Sequence, residues 1–235
     1  MFDAHMHLAE SAPLHYPRTM SDAQTSVDHQ QSHGFEASAL YSPMLVSRTL
    51  KAGDDPFVAV RRYNAHLGVV QARFPDRIAA AGISYPFGGE QAARDVQEDV
   101  RAHGFKSVMV NPYLAGQWLD QAPEAEPFLA AMEELGVPLI VHPEEDWEQN
   151  AAEATGRKLT HNQGLVSWRT LATSTSLYGF VFDNVLARHP RLRVLFAHLA
   201  GDFFGLLGRA NIVHDRLLPK NDPIVMQQRT IETQP

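Results

Sequence analysis

The stretch Leu139–Pro143, with the sequence LIVHP, decides the fold class of this chain. Its apolar residues predict a short buried strand, and a histidine stands at the point where that strand ends. Val194–His198, with the sequence VLFAH, repeats the arrangement later in the chain. A single histidine at a strand end is more often a hydrogen-bonded core residue than a metal ligand. In a barrel of alternating strands and helices, however, this position opens into the active-site mouth.

Short apolar runs rich in Val, Ile, Leu and Phe alternate with longer helical patterns along the chain. This alternation is typical of βα units around a parallel sheet. The predicted strands are Phe2–Leu8, Ala37–Tyr41, Ile78–Tyr85, Ser107–Asn111, Leu139–His142 and Val194–His198. The predicted helices, with apolar residues at three- and four-residue spacing, are Pro56–Phe74, Glu90–His103, Glu124–Leu135, Leu171–Arg188 and Asp202–Leu217.

The residues that separate these elements agree with this division. Gly104 and Gly136 follow predicted helices and precede predicted strands, as carboxyl-terminal caps do. The segment Pro143–Arg169, after the fifth strand, is long and polar. Because loops at the carboxyl ends of barrel strands build the active site, this segment predicts a substrate lid, with a surface loop as the alternative.

The amino terminus contains the spacing D-x-H-x-H, formed by Asp3, His5 and His7. Side chains two residues apart on a strand point to the same face, roughly 6.5 Å apart along it. Imidazole is the commonest ligand of catalytic divalent metals, and a nearby carboxylate usually orients it. The spacing therefore indicates a metal site, with two solvated histidines at a strand start as the alternative. His142 and His198, each at a strand exit, favour the metal site.

The composition limits the kinds of partner and site. The 20 Lys and Arg residues against 27 Asp and Glu give a formal net charge of −7, which does not favour nucleic acid or anionic lipid. A small molecule is the expected partner. The chain has no cysteine, so any metal must be held by His, Asp or Glu.

Length and hydropathy predict a single domain, residues 1–235, because an α/β barrel of this general size can form one core. No apolar run approaches the roughly 18 residues of a membrane-spanning helix. The amino terminus lacks the basic and apolar regions of a secretion signal. We therefore expect a cytoplasmic protein that does not enter a membrane.

The quoted residues resemble the amidohydrolase superfamily, in the branch that includes 2-amino-3-carboxymuconate-6-semialdehyde decarboxylase and the resorcylate-type decarboxylases. The resemblance rests on Asp3–His7, on Leu139–Pro143 and on Thr170–Gly201, within which Val185–His198 looks like the branch's segment from helix five to strand six. It covers the chain from Met1 to about Leu217. Each piece alone is weak, and the combination is specific.

The resemblance implies a (β/α)8 TIM-type barrel with one divalent metal, zinc first and manganese as the alternative. The ligands it implies are His5, His7 and His142, with Asp3 as the orienting carboxylate. It makes His198 the catalytic histidine beside a metal-activated water. The implied reaction is non-oxidative decarboxylation of a small aromatic or unsaturated carboxylic acid. The alternatives are a metal-dependent hydrolase of lactones, amides or esters, and an inactive remnant that acts as a binding or oligomerisation module.

The chain departs from the pattern at its carboxyl end. The resemblance implies a metal-binding aspartate after an eighth strand, in a segment like GSDYP, which this sequence lacks. We therefore expect only about six βα units, either in a fragment of a longer chain, in a truncated product, or in a barrel that a partner subunit closes. Because open edge strands invite association, a homodimer is the expected assembly.

Other residues have more than one interpretation. Trp168 and Arg169 could clamp an anionic aromatic substrate by stacking and ion pairing, or could form an exposed helix start. Asp202 could replace the missing carboxylate, but a helix cap is the better interpretation. Some amidohydrolases carry a carboxylated lysine on strand four that bridges two metals. Lys106 lies at the start of that strand, away from the mouth, so the resemblance implies a mononuclear site.

The segment Leu199–Gly201 stands where many relatives have consecutive glycines. Its larger side chains beside His198 are expected to narrow the substrate pocket.

Overall fold

The computed structural model of this chain describes residues 2–8, 22–143 and 147–212. Within these ranges a sheet of parallel strands follows the order β1-β2-β3-β4-β7-β8. A small antiparallel hairpin, β5 and β6, stands apart from it. The strands are β1 Phe2–His7, β2 Ala37–Tyr41, β3 Ile78–Ile83, β4 Ser107–Val110, β5 Tyr113–Leu114, β6 Gln117–Trp118, β7 Leu139–Val141 and β8 Val194–Phe196.

All the predicted strands are present and parallel, which confirms the α/β, TIM-barrel type of architecture with about six units. Neighbouring strands follow one another in the sequence apart from the inserted hairpin, as successive βαβ units in a barrel do. The register pairs His7 with Tyr41 and Val141 with Phe196. The carboxyl ends of the strands therefore lie along one edge of the sheet.

Helices connect the strands and cover the outside of the sheet. They are α1 Ala23–Ser32, α2 Leu45–Ala52, α3 Pro56–Arg73, α4 Glu90–His103, α5 Glu126–Leu135, α6 Trp147–Thr155, α7 His161–Gln163, α8 Arg169–Phe182, α9 Val185–Arg188 and α10 Phe203–Ile212. The sequence patterns did not predict α1 or α2. The first is mostly polar and is capped by Asp22, whose side chain accepts a hydrogen bond from the Thr25 backbone N–H. The second has only eight residues.

Two connecting segments have a different secondary structure from the one that the sequence patterns indicated, and the substrate lid over Pro143–Arg169 stays a prediction. The described part of Pro143–Arg169 is largely helical, with α6, α7 and a π-helical turn, Gly164–Trp168, that runs into α8. The long helix predicted over Leu171–Arg188 is two helices, because Asn184 takes a left-handed conformation with φ of 60°. Asn adopts this conformation more readily than most residues, so it breaks the helix at little energetic cost.

One main core lies between the sheet and its helices, and Tyr41, Leu67 and Phe128 are among its fully buried side chains. A second, smaller cluster contains Tyr113 and Trp168 and joins the hairpin to the segment before α8. Two hydrophobic groups of unequal size are common in domains, where the smaller one supports a long connection. Here the smaller group supports the connection after β7.

A buried carboxyl, Asp120, lies beside α8. A Cβ at Gly179 would collide with the Asp120 carboxyl group, so only glycine allows this approach. Burial, reinforced by the neighbouring Asp183 carboxyl, raises the pKa of Asp120 to about 7. Asp183 in turn accepts a hydrogen bond from the Gln121 side chain at 3.4 Å. Asp120 is thus a titratable group with an unusual affinity for a proton.

Within the described residues, β8 pairs with β7 on one side only. Beside this edge, Leu195, Leu199 and Phe204 are exposed. A concave apolar pocket with a volume of about 430 Å³ lies here, and its lining includes Val194, Phe196 and Phe203. None of the helices in the three described ranges is long and apolar enough to cross a membrane.

Candidate metal-binding site

Three histidines meet at the carboxyl edge of the sheet. His7 ends β1, His142 follows β7 directly, and His198 comes two residues after β8. The ring centroids of His7 and His142 are 5.0 Å apart, and those of His142 and His198 are 4.8 Å apart. The structure therefore brings together three residues that are widely separated in the sequence.

The contact between His7 and His142 shows how strongly the sheet curls. Their strands, β1 and β7, stand four positions apart in the sheet. In a flat sheet four strand spacings amount to about 19 Å. A 5.0 Å ring contact therefore requires the sheet to bend around the site, as the wall of a barrel does.

His142 is held in a form that suits metal binding. Its side chain is 1% exposed, and its Nδ1 lies 2.6 Å from the backbone oxygen of Pro143. Because a carbonyl oxygen only accepts hydrogen bonds, Nδ1 carries the proton and donates it. In the neutral ring the lone pair is then on Nε2, which is the usual arrangement for a histidine ligand.

Tyr41 is a further member of this cluster that the sequence patterns missed. It is fully buried, and its ring centroid lies 5.4 Å from that of His7 and 5.7 Å from that of His142. Its place as the last residue of β2, level with His7 in the register, was the available signal. That signal is weak, because a tyrosine at a strand end is usually a core residue.

Asn111 follows β4 and was also missed as a site residue. Its Nδ2 donates hydrogen bonds to the backbone oxygens of Pro43 and His142, each at 3.0 Å. It therefore connects the segment after β2 with the segment after β7. The sequence offered only its position at the end of a predicted strand.

The remaining predicted ligand groups, Asp3 and His5, belong to β1, but their side chains lie outside the described residues. Among the side chains that the structure does describe, no three His, Asp or Glu groups form a ready coordination site. The donor chemistry nevertheless fits a divalent metal, because His7 and His142 are in contact and His142 presents the required tautomer.

Family comparison agrees with this architecture. Residues 2–205 match the family model Amidohydro_2, described as amidohydrolase. The chain belongs to the amidohydrolase family. This confirms the resemblance that the sequence motifs indicated.

The relatives of this amidohydrolase include decarboxylases. It is 26% identical to the 2-amino-3-carboxymuconate-6-semialdehyde decarboxylase of Dictyostelium discoideum over 147 residues, which are 62% of this chain and 39% of the relative. The chain therefore spans well under half the length of that curated relative.

Two solved structures share its fold. A dihydroxybenzoic acid decarboxylase from Polaromonas sp. JS666, with bound manganese and the inhibitor 2-nitroresorcinol, has a TM-score of 0.76 at 17% identity, over 97% of this chain and 74% of that one. The 5-carboxyvanillate decarboxylase of Novosphingobium aromaticivorans DSM 12444, also with manganese, has a TM-score of 0.70 at 20% identity, over 84% of this chain and 56% of that one. At these identities the likeness establishes the fold.

The backbone after β8 turns in a left-handed conformation in this amidohydrolase. His198, Leu199 and Ala200 have φ angles of 52°, 54° and 57°, and Gly201 follows with 64°. A Cβ at Gly201 would also collide with the backbone oxygen of Thr170. Left-handed conformations suit glycine, so this backbone favours glycine at the positions of Leu199 and Ala200. Leu199 is 87% exposed and lines the concave apolar pocket beside β8, and the expectation that this segment narrows the substrate pocket stays a prediction.

Replacing Leu199 with glycine is expected to stabilise the protein by about 0.5–1 kcal/mol. A left-handed non-glycine residue costs about 1–2 kcal/mol, and the freedom that glycine adds to the unfolded chain offsets part of the gain. Urea denaturation measures the change. Leu206→Gly, inside α10, is the matched control and is expected to lose about 1 kcal/mol. Equal destabilisation by both substitutions would contradict the left-handed turn.

Trp168 and Arg169 lie where the π-helical turn meets α8. Trp168 is only 1% exposed and packs against Tyr113 and Trp118, with ring centroids 5.8 and 6.3 Å away. Its indole Nε1 has no hydrogen-bond partner within the described part of the chain. Arg169 is half-buried. The interpretation of Trp168 as part of an exposed helix start is therefore wrong. The predicted contact of Trp168 and Arg169 with substrate stays a prediction.

Two other charged residues lie where the sequence predicted. Lys106 is exposed and directly precedes β4, at the end of the strand opposite to the histidines. Asp202 is exposed and directly precedes α10, where its backbone oxygen accepts a hydrogen bond from the Leu206 N–H at 3.2 Å. Asp202 thus occupies a helix-start position, in agreement with a cap.

Proposed function

We propose that this amidohydrolase catalyses the metal-dependent, non-oxidative decarboxylation of a small aromatic or unsaturated carboxylic acid. The observation that carries the proposal is the contact of His7, His142 and His198 at the carboxyl edge of the sheet. The decarboxylases among its relatives give the reaction class. The net charge of −7 agrees with a small-molecule partner rather than a nucleic acid.

His5, His7 and His142 would hold one divalent metal, and Asp3 would orient a histidine ring. A bound divalent cation supplies a positive centre that polarises substrate oxygens and lowers the pKa of a coordinated water. Zinc suits imidazole ligands, and manganese is supported by its presence in the two solved relatives. Both metals are therefore to be tested.

His198 would take part in the proton transfer of this reaction. When the carboxylate leaves as carbon dioxide, the electrons of the broken carbon–carbon bond remain on the ring or alkene carbon. That carbon takes one proton, which balances the reaction. The contact of the partly exposed His198 ring with His142, at 4.8 Å, supports a role in proton transfer. Arg169 and Trp168 are the candidate substrate contacts.

The test is to load the protein with Mn²⁺ or Zn²⁺ and to supply 2,6-dihydroxybenzoate, 5-carboxyvanillate, and a panel of lactones, amides and esters. Carbon dioxide release with formation of the decarboxylated product supports the proposal. Hydrolysis without carbon dioxide release identifies the hydrolase alternative. Sub-stoichiometric metal and no turnover identify the binding or oligomerisation module. Its supporting observation is that one side of β8 pairs with no strand among residues 2–8, 22–143 and 147–212.

A single domain over residues 1–235, a cytoplasmic location and a homodimer remain part of the proposal. The exposed apolar residues beside β8 support association. Light scattering coupled to size-exclusion chromatography measures the mass of the assembly, and a monomer over the micromolar range would contradict the dimer.

A further inference from the structure

Asn111 is a buried side chain that the proposed reaction does not use. It is 1% exposed and lies directly after β4, between the ends of β3 and β7. Its two hydrogen bonds reach Pro43 and His142, which are 68 and 31 residues away in the sequence. The segments it joins follow the strands that end in Tyr41 and Val141. Asn111 is therefore a cross-link between two walls of the candidate site.

The partners determine how the carboxamide is oriented. Both are backbone carbonyl oxygens, which only accept hydrogen bonds, so the amide nitrogen must face them. Both N–H groups are then used at 3.0 Å, and the amide oxygen points elsewhere. That oxygen is buried and accepts no hydrogen bond from any part of the chain that the structure describes. Buried side-chain amides normally form hydrogen bonds through both the nitrogen and the oxygen. Here the Asn111 side chain is oriented so that its nitrogen makes two hydrogen bonds, while its oxygen makes none with the described residues.

Asn64 shows what a purely structural buried asparagine looks like in this fold. It is also 1% exposed, and it is placed on α3. Its Nδ2 donates to the Ile83 backbone oxygen at 2.9 Å, and its Oδ1 accepts from the Ile83 N–H at 2.9 Å. Both ends of this amide are satisfied. Asn64 holds the end of β3, a strand that contributes no proposed ligand, whereas Asn111 holds the backbone of a proposed ligand.

His142 is thereby fixed at three points. Its backbone N–H donates to the Val110 oxygen at 3.0 Å, its backbone oxygen accepts from Asn111 at 3.0 Å, and its ring Nδ1 donates to the Pro143 oxygen at 2.6 Å. The peptide between His142 and Pro143 thus connects the Asn111 bond to the ring bond. Loss of the Asn111 side chain would release this peptide and, one residue later, the Pro143 carbonyl that accepts the ring proton.

We propose that Asn111 is a positioning residue that fixes the His142–Pro143 peptide and so holds the His142 ring with its proton on Nδ1 and its lone pair on Nε2 for the metal. The inference rests on the proposed metal site. Removing the partners that orient a metal-binding histidine weakens metal affinity by about 10–100-fold. The effect of Asn111 acts through the His142 backbone, so it is expected within this range.

The experiment compares Asn111→Ala with Asn64→Ala as a matched buried-amide control. The first measurement is ¹⁵N NMR of the histidine rings in the metal-free protein, which reports tautomers without any metal. We expect His142 to be a single Nδ1–H tautomer in the parent protein and in Asn64→Ala, and a mixture of tautomers in Asn111→Ala. A single Nδ1–H tautomer in Asn111→Ala would overturn the inference.

The second measurement is Mn²⁺ and Zn²⁺ affinity by competition with a chelating dye. We expect Asn111→Ala to bind about 10–100-fold more weakly, and Asn64→Ala to bind like the parent even though both variants lose stability. Unchanged affinity in Asn111→Ala would also overturn the inference. If the parent binds no metal but the tautomer mixture appears, positioning is supported and the proposed function fails. If Asn111→Ala does not fold, Asn111→Ser, a milder and also uncharged substitution, is compared with Asn64→Ala in the same tautomer and metal-affinity measurements.

Discussion

Replacing His142 with alanine is expected to weaken divalent-metal binding by more than 100-fold and to abolish carbon dioxide release. Loss of a residue that merely orients a ligand costs about 10–100-fold in affinity, and loss of the ligand itself removes a whole metal bond. His142 is also the histidine whose contacts reach both His7 and His198. Metal content by mass spectrometry and affinity by titration calorimetry measure the change.

The control is His189→Ala, because His189 is a buried histidine away from the site. Its Nε2 is 3.0 Å from the Glu126 carboxylate, and its Nδ1 is 3.4 Å from that of Glu133. This variant is expected to lose stability and keep full metal affinity. His142→Gln preserves most of the side-chain volume and separates the loss of a ligand from the loss of packing. Full metal occupancy in both His142 variants would show that His142 is not a ligand.

The companion variant His198→Ala is expected to keep its metal and to lose turnover. Proton transfer by a positioned side chain contributes about 10²–10⁴-fold to a rate, and the loss should fall in this range. Retained turnover in His198→Ala would contradict the proton role in decarboxylation and the corresponding role in hydrolysis.

Replacing Asp120 with asparagine is expected to stabilise the protein by up to roughly 4 kcal/mol above pH 8 and to change little near pH 4. The pKa of Asp120 is raised from the ordinary 3.8 to about 7, mainly by burial. The folded protein therefore binds this proton more tightly than the unfolded chain does. The stability that this proton supports is fully present below about pH 4 and is lost as the pH rises through about 7. Asparagine imitates the protonated, neutral form.

Urea denaturation at pH 4.5, 6 and 8.5 measures the effect as the difference between variant and parent, which cancels the other titrating groups. Asp28→Asn, at an exposed position on α1, is the control and should change stability by no more than about 0.5 kcal/mol at each pH. A pH-independent difference for Asp120→Asn would mean that the carboxyl is ionised throughout this range in the folded protein.

The apolar runs predicted the parallel sheet well, because parallel strands that are buried on both faces appear in the sequence as continuous apolar runs. Val141 and Phe196 end their strands close to the predicted positions, and the histidines that follow both reach the same edge. The segment after β7 was mistaken for a loop because its polar composition hides α6 and the π-helical turn. Short polar helices depend on tertiary contacts, which a local pattern does not contain.

Tyr41 and Asn111 could not be recognised as members of the site from sequence. Each ends or follows an apolar strand, as many core residues do, and their importance comes from contacts with residues far away in the chain. The left-handed turn after His198 was hidden for a similar reason. Leu199 and Ala200 are poor predictors of positive φ, so only the structure could show that this backbone suits glycine.

The bend of the sheet has a consequence for how ligand and fold depend on each other. His7 stands on the first strand of the sheet and His142 directly follows the fifth, β7, and only curvature brings their rings to 5.0 Å. An ion shared by these two rings would act as a removable cross-link across most of the chain, closing a loop whose entropy the unfolded state otherwise keeps. Metal binding at both rings would then stabilise the folded chain, and the metal concentration would set its thermal stability.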